Sequence, residues 1–392
     1  MLRAVSTAPE PELALFERFG LAVLRRAPAR AAVAGEDDPV HVLNADELRE
    51  LRRIERLAVL RAALAGALSG GASAAVAIWA QQHYIAPDGA AHSTADSVRF
   101  WTLVIAATTV ASLFEIGFLY WDALRSVHAM ASAAGLKLSE SELTGERRDV
   151  ALALARAALE LPNPPHRVLG VDPRREAVRW RFALAALLYK AKIALTTFLI
   201  KVTLRGLLGR VMGRWLFELV TIPVTAIWNA IVCFMVVREA RLRTMGPSAA
   251  LELVGFALAD WTPNPAGRAA AFRSVAAAIV RTQDFHPNHL AVLRVLAERL
   301  GPVDVEEVDD SARFLAGLGA LAPPDKRLVL RLLVIAAVLD GKLTRAEKQL
   351  LDQAFRACGR VLVLARVEEL RRAFSAGRGL DFELVRRLTD GG

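Results

Sequence analysis

Ionisable and amide side chains set inside long apolar runs are the residues of this chain best placed to do chemistry. They are Glu115, Lys190 and Lys201, Glu218 and Asn229. A charge at hydrocarbon depth is costly and persists where it is paired or faces water. Such groups therefore either line a hydrated path for ions, protons or a small solute, or neutralise one another and fix how helices pair, with lysine tails reaching for the surface. A second set lies outside those runs. Asp284, His286 and His289 form a D-x-H-x-x-H pattern, and histidine with carboxylate is ordinary metal-ligand chemistry. The competing reading of that pattern is chance proximity in a loop interrupted by Pro287.

The first set sits on four apolar runs, Ala58–Ala80, Phe100–Trp121, Phe182–Gly209 and Trp215–Val237. Each is long enough to cross a bilayer, which takes about 20 helical residues. At about 100° per residue, Lys190, Thr197, Lys201 and Arg205 fall on one narrow face of the third run. Glu218, Thr225 and Asn229 align on the fourth, and Thr108, Ser112 and Glu115 on the second. Helices with one polar stripe each are expected to pack with the stripes inward. The first run offers Ala62, Gly66, Ser69, Gly70 and Ser73, small residues at helical spacing that let two helices approach closely.

Basic residues flank the runs asymmetrically. Arg49, Arg52, Arg53, Arg56 and Arg61 precede or open the first, ten Lys and Arg residues follow the second from Arg125 to Arg181, and Arg238, Arg241 and Arg243 follow the fourth. The loop from Gln81 to Arg99 holds a single Arg against Asp88 and Asp96. The positive-inside bias then puts both termini in the cytoplasm. Arg205, Arg210 and Arg214 disagree, since they fall in the short connection this topology places outside; a re-entrant 182–237 hairpin is the alternative to two full spans.

Composition fits a membrane half joined to a soluble half. The 392 residues are 54% hydrophobic yet 23% charged, with a mean hydropathy of +0.33. The formal charge of +9 is concentrated in Arg-rich flanks, which bilayer anchoring explains without nucleic acid. Two cysteines, Cys233 and Cys358, support neither a disulfide framework nor a zinc pattern. The first twelve residues, with two prolines and two glutamates, do not read as a cleavable signal peptide. No phosphate-binding glycine loop, nucleophile elbow or H-E-x-x-H is present, so no catalytic residue is assigned and an enzyme is not expected.

Beyond Pro247 the chain reads as short amphipathic helices: 249–261, 267–282, 288–300, 309–318, 324–339, 345–358, 362–375 and 382–388. The sharpest motif is Ala336-Ala337-Val338-Leu339-Asp340-Gly341-Lys342-Leu343-Thr344-Arg345-Ala346-Glu347-Lys348-Gln349-Leu350-Leu351. By local rules Gly341 ends one helix in the left-handed conformation, and Thr344 with Glu347 forms a capping box for the next. The same stretch resembles the TerB-like tellurite-resistance fold, also found in membrane-linked DnaJ-type co-chaperones. The likeness is carried by Leu332–Phe355 and extends over roughly 267–390. It implies a membrane docking module that gathers acidic residues around a divalent metal, here Asp340 and Glu347 by position. Residues 278–300 align as a degenerate second copy in which Asp284 replaces Asp340 but the Gly and Glu are missing, and that puts a two-fold acidic metal site in doubt.

The expectation is therefore an all-α protein. Residues 1–57 are a cytoplasmic helical or loose segment, 58–122 a first transmembrane hairpin and 123–181 a cytoplasmic helical linker. Residues 182–237 form a second hairpin, completing a four-helix bundle, and 247–392 a cytoplasmic TerB-like helical domain. The resemblance implies a scaffold or stress-response interaction protein at the bacterial inner membrane, with the lipid bilayer and a protein at the cytoplasmic face as partners. The alternative is an oligomeric ion or small-solute channel gated by the soluble half.

Overall fold

A computed structural model describes residues 15–26, 42–84, 93–136, 146–161, 168–176, 214–259, 261–302 and 307–390. The described residues are helical, with no strand beyond two isolated bridges. In chain order the helices are α1 (Leu15–Arg26), α2 (Ala45–Tyr84), α3 (Thr94–Ala133), α4 (Glu146–Ala158), α5 (Arg214–Leu258) and α6 (Pro265–Thr282). After them come α7 (Pro287–Leu300), α8 (Ser311–Gly317), α9 (Pro323–Leu339), α10 (Arg345–Ala357), α11 (Leu364–Ser375) and α12 (Phe382–Asp390). Three helices, α2, α3 and the Ile222–Leu258 part of α5, are long and apolar enough to cross a membrane. The third apolar run, with Lys190 and Lys201, lies outside the described residues. Glu218 falls near the start of α5, where only the backbone is described.

Helix α2 packs on α5 through a ladder of small residues. Ala58, Ala62, Gly66, Gly70 and Ala74 are all buried at four-residue spacing, while Ser69 and Ser73 are only half-buried. A Cβ on Gly66 would stand 2.6 Å from the Thr225 carbonyl oxygen, and one on Gly70 would stand 2.7 Å from Thr225 Oγ1. Glycine is thus required by backbone approach, not by backbone torsion. Thr225 Oγ1 donates to the Gly66 carbonyl at 2.8 Å across the same contact, as expected where small residues replace hydrophobic drive between helices.

Helix α3 behaves differently. The apolar window of this 40-residue helix has no buried residue. Trp101, Ile105, Val110, Leu113, Phe114 and Phe118 stand exposed along it. Beyond the window its C-terminal part is buried with α1 and α4 in a small second core around Leu24, Leu124, Val127 and Leu154.

Helix α5 runs unbroken through Pro223 and Pro247 for 45 residues. A proline inside a helix forgoes one backbone bond and crowds the preceding turn. That is why the sequence suggested a fresh helix at 249. Here Leu242, Met245, Ala249, Ala250 and Leu253 are all buried in the main core, and their packing carries the helix through the proline. The core is completed by α6, α7, α9, α10 and α11, around Phe272, Phe355 and Phe374. Full burial of side chains of this size contributes roughly 1.5–3 kcal/mol each.

The remaining helices follow the expected ranges closely. The Thr262-Pro263-Asn264-Pro265 stop is a built junction. Asn264 caps α6 by accepting from Gly267 N at 2.8 Å, and its amide donates to Asp325 at 2.8 Å. Asp325 is fully buried and also accepts from Trp261 Nε1 at 2.8 Å, so two neutral donors satisfy a polar group that would otherwise be costly there.

Candidate functional site

Where α5 leaves its apolar run, Glu239, Leu242 and Arg243 meet the start of α7 and the turn between α9 and α10. This junction collects the chemistry-bearing residues of the C-terminal half. His286 opens α7 as its N-cap, Nδ1 accepting from Asn288 N at 3.2 Å, and its Nε2 lies 3.1 Å from Glu239 Oε1. Arg243 binds the same Glu239 oxygen and donates to the Ala153 carbonyl at 2.7 Å, tying α4 in. Burial pushes Glu239 up, but the hydrogen bond from His286, aided by the Arg243 and Lys342 charges, overrides it and holds the carboxyl well below the usual range.

Asn288 is the bridge. Its buried amide donates to the Leu242 carbonyl at 3.0 Å and to the Leu339 carbonyl at 2.8 Å, joining α5, α7 and the end of α9. His289, fully buried, contacts the Ala336 carbonyl through Nε2 at 2.8 Å. Burial depresses the His289 pKa, with Asp340 and Asp284 pulling the other way. The two imidazoles lie 6.0 Å apart between ring centroids and turn to different partners, Glu239 and Ala336.

The Asp340–Glu347 turn adopts the capping geometry. Gly341 has φ +69°, and a Cβ there would crowd the Leu242 side chain. Thr344 accepts from Glu347 N at 3.2 Å, while Glu347 Oε2 accepts from Thr344 N at 2.7 Å, closing the box. Asp340 Oδ1 accepts from Lys342 N at 2.8 Å. Both carboxyls are buried, at 4% and 1% exposure, and Glu347 Oε1 has no hydrogen-bond partner. Burial first, and then the neighbouring Asp340 charge, push the Glu347 carboxyl up to about 8. The Gly341 carbonyl accepts from Arg238 at 3.1 Å and from Arg371 at 2.8 Å, so the turn is bolted to α5 and α11.

Two carboxylates, each already holding a backbone N–H, fall short of the six or more oxygens a hard divalent cation takes. Among the described residues no group of three His, Cys, Asp or Glu side chains could hold a metal ion. The residues present do not fit the metal that the resemblance implies. Asp284, His286 and His289 share a neighbourhood with Asp340, but the two imidazole nitrogens named above are committed elsewhere.

Of the polar residues in the apolar runs, Glu115 and Asn229 meet, Asn229 Nδ2 donating to Glu115 Oε1. Asn229 is buried and Glu115 half-buried. Only this pair of the two expected stripes meets: Thr225 turns instead to Gly66 on α2, and Thr108 is exposed. Sequence reasoning missed Glu239 and Asn288. Glu239 follows directly on an apolar run with a basic flank, where it reads as a solvated charge, and Asn288 reads as a helix-start residue. Comparison with known family models, characterised proteins and solved structures returns no match for this chain.

Proposed function

We propose that this chain is an integral membrane protein that anchors a TerB-like helical module, acting as a scaffold or stress-response interaction protein at the inner face of a bacterial cytoplasmic membrane. The observation that carries this reading is α5. One helix extends from an apolar run that packs on α2 into the buried core of the C-terminal helices, where Asn288 and the Arg238–Gly341 contact lock it. A membrane anchor and a helical module that share one rigid helix act as one body.

The exposed apolar length of α3 supports the bilayer part. A surface of that extent is unfavourable in water at about 25 cal/mol per Å² and is covered at no cost by lipid. The meeting of Glu115 with Asn229 favours structural pairing over a conduction path, because the carboxyl accepts from a partner helix and not from a water-lined route.

The test is reconstitution of the full chain into vesicles, with resistance to carbonate extraction and ion and proton flux both measured. Retention in the membrane with sealed vesicles is the expected result. Flux that Glu115→Gln abolishes in a folded protein would replace the scaffold with the channel reading, and loss of the protein to the carbonate supernatant would remove the membrane.

A further inference from the structure

A cavity of about 200 Å³ opens between α2 and α3, lined among others by Arg53, Arg61, Trp121, Arg125 and Ser126. It lies where both helices pass from apolar to charged sequence, at the end carrying the arginine-rich flank. We propose that it binds the phosphate of an anionic lipid headgroup, which rests on reading α2 and α3 as membrane spans.

Three observations converge on that ligand. Arg61 is fixed in place: its Nε donates to Asp122 at 2.7 Å and its Nη2 to Ser126 Oγ at 3.1 Å. Two of the five donors of the guanidinium are thereby engaged, and the side chain is still 39% exposed. A planar guanidinium held from behind is pre-organised for phosphate oxygens. Arg125 lies over the Trp121 ring with its guanidinium carbon 5.4 Å from the centroid, so a second cation is held at the rim by an aromatic. Trp121 is itself 46% exposed, as a tryptophan at a lipid headgroup level is. Arg53 supplies the third cation, 72% exposed and 3.7 Å from Glu50.

The acidic residues in the wall, Glu50 and Asp122, do not cancel the three arginines; one positive charge is left over at a membrane boundary. Basic clefts between spans on the cytoplasmic side take anionic headgroups for this reason. Two arginines of α2 outside the cavity provide a control. Arg52 and Arg56 are also exposed and carry the same charge, yet neither lines the cavity.

The test uses the full chain in vesicles of phosphatidylcholine alone or with phosphatidylglycerol. Lipid retained after detergent extraction is counted by native mass spectrometry, with inorganic phosphate as competitor. Arg53→Gln/Arg125→Gln should lower retention of phosphatidylglycerol about 30-fold, at roughly fivefold per arginine removed. Arg52→Gln/Arg56→Gln should leave it unchanged, and phosphatidylcholine should be indifferent to both. An equal loss in both double variants would reduce the effect to general surface charge and overturn the site. So would no loss in either. Displacement by millimolar inorganic phosphate would make the ligand a free anion instead of a lipid. Thermal melting of each variant separates loss of fold from loss of binding. Failure of the chain to enter phosphatidylcholine vesicles at all would instead strike the membrane reading.

Discussion

Replacing Glu347 by glutamine isolates the energetic role of the buried carboxyl. Glu347 is 1% exposed and its carboxyl is pushed up to about 8, against 4.5 for an unperturbed group. A carboxyl whose folded pKa is raised binds its proton more tightly in the folded state, so its stabilising contribution is complete below pH 4.5 and is lost as pH rises toward 8. Each pH unit between those limits is worth about 1.4 kcal/mol. From pH 6 to pH 8 the loss flattens near the folded pKa and comes to about 2 kcal/mol. Glutamine keeps an oxygen for the Thr344 N–H and cannot ionise, so it preserves the capping box and removes the titration. Melting of the purified full chain in detergent, scanned from pH 5 to 9, should show the wild-type protein losing stability through pH 6–8 relative to Glu347→Gln. The two curves should separate by several degrees, at about 2–4 °C per kcal/mol. Parallel curves across that range would refute the reasoning, since the variant then removes no ionisation linked to folding. Added Mg²⁺ or Ca²⁺ should shift neither curve.

His289 supplies the opposite limb: its pKa is depressed from 6.5 by burial, so stability should fall as pH drops below 6.5, and His289→Gln should flatten that acid limb in the same scan. Asn288→Ala leaves the carbonyls of Leu242 and Leu339 buried without their shared donor, and should cost about 2–4 kcal/mol in chemical denaturation. Gly66→Leu drives a side chain into the Thr225 backbone and should destabilise the α2–α5 pair by about 3 kcal/mol or more, seen as lost monodispersity in detergent. A soluble fragment starting at residue 247 lacks Leu242, Met245 and the Asn288 acceptor. It should be less stable than one starting at 238 by about 4–6 kcal/mol, measured by urea unfolding.

What was legible in the sequence is what short-range physics writes. Hydrophobic length and periodicity predicted the three long apolar helices that are described and nearly every boundary of the C-terminal helices, because a helix is fixed by its own i, i+4 bonds and by caps such as Thr344 with Glu347 and Asn264 with Gly267. The small-residue ladder from Ala58 to Ala74 was visible in outline for the same reason, spacing being a local property. Tertiary structure alone decided the rest. Pro247 does not end α5, because buried neighbours on both sides outweigh one missing bond. Glu115 meets Asn229, and Glu239 meets His286, across separations of 114 and 47 residues that no pattern along the chain encodes. The D-x-H-x-x-H spacing looked like a ligand set, yet burial sent the two imidazoles to a carboxylate and a carbonyl that only folding brings near. Local sequence sets where helices start and stop; which polar groups face each other is set by how those helices pack.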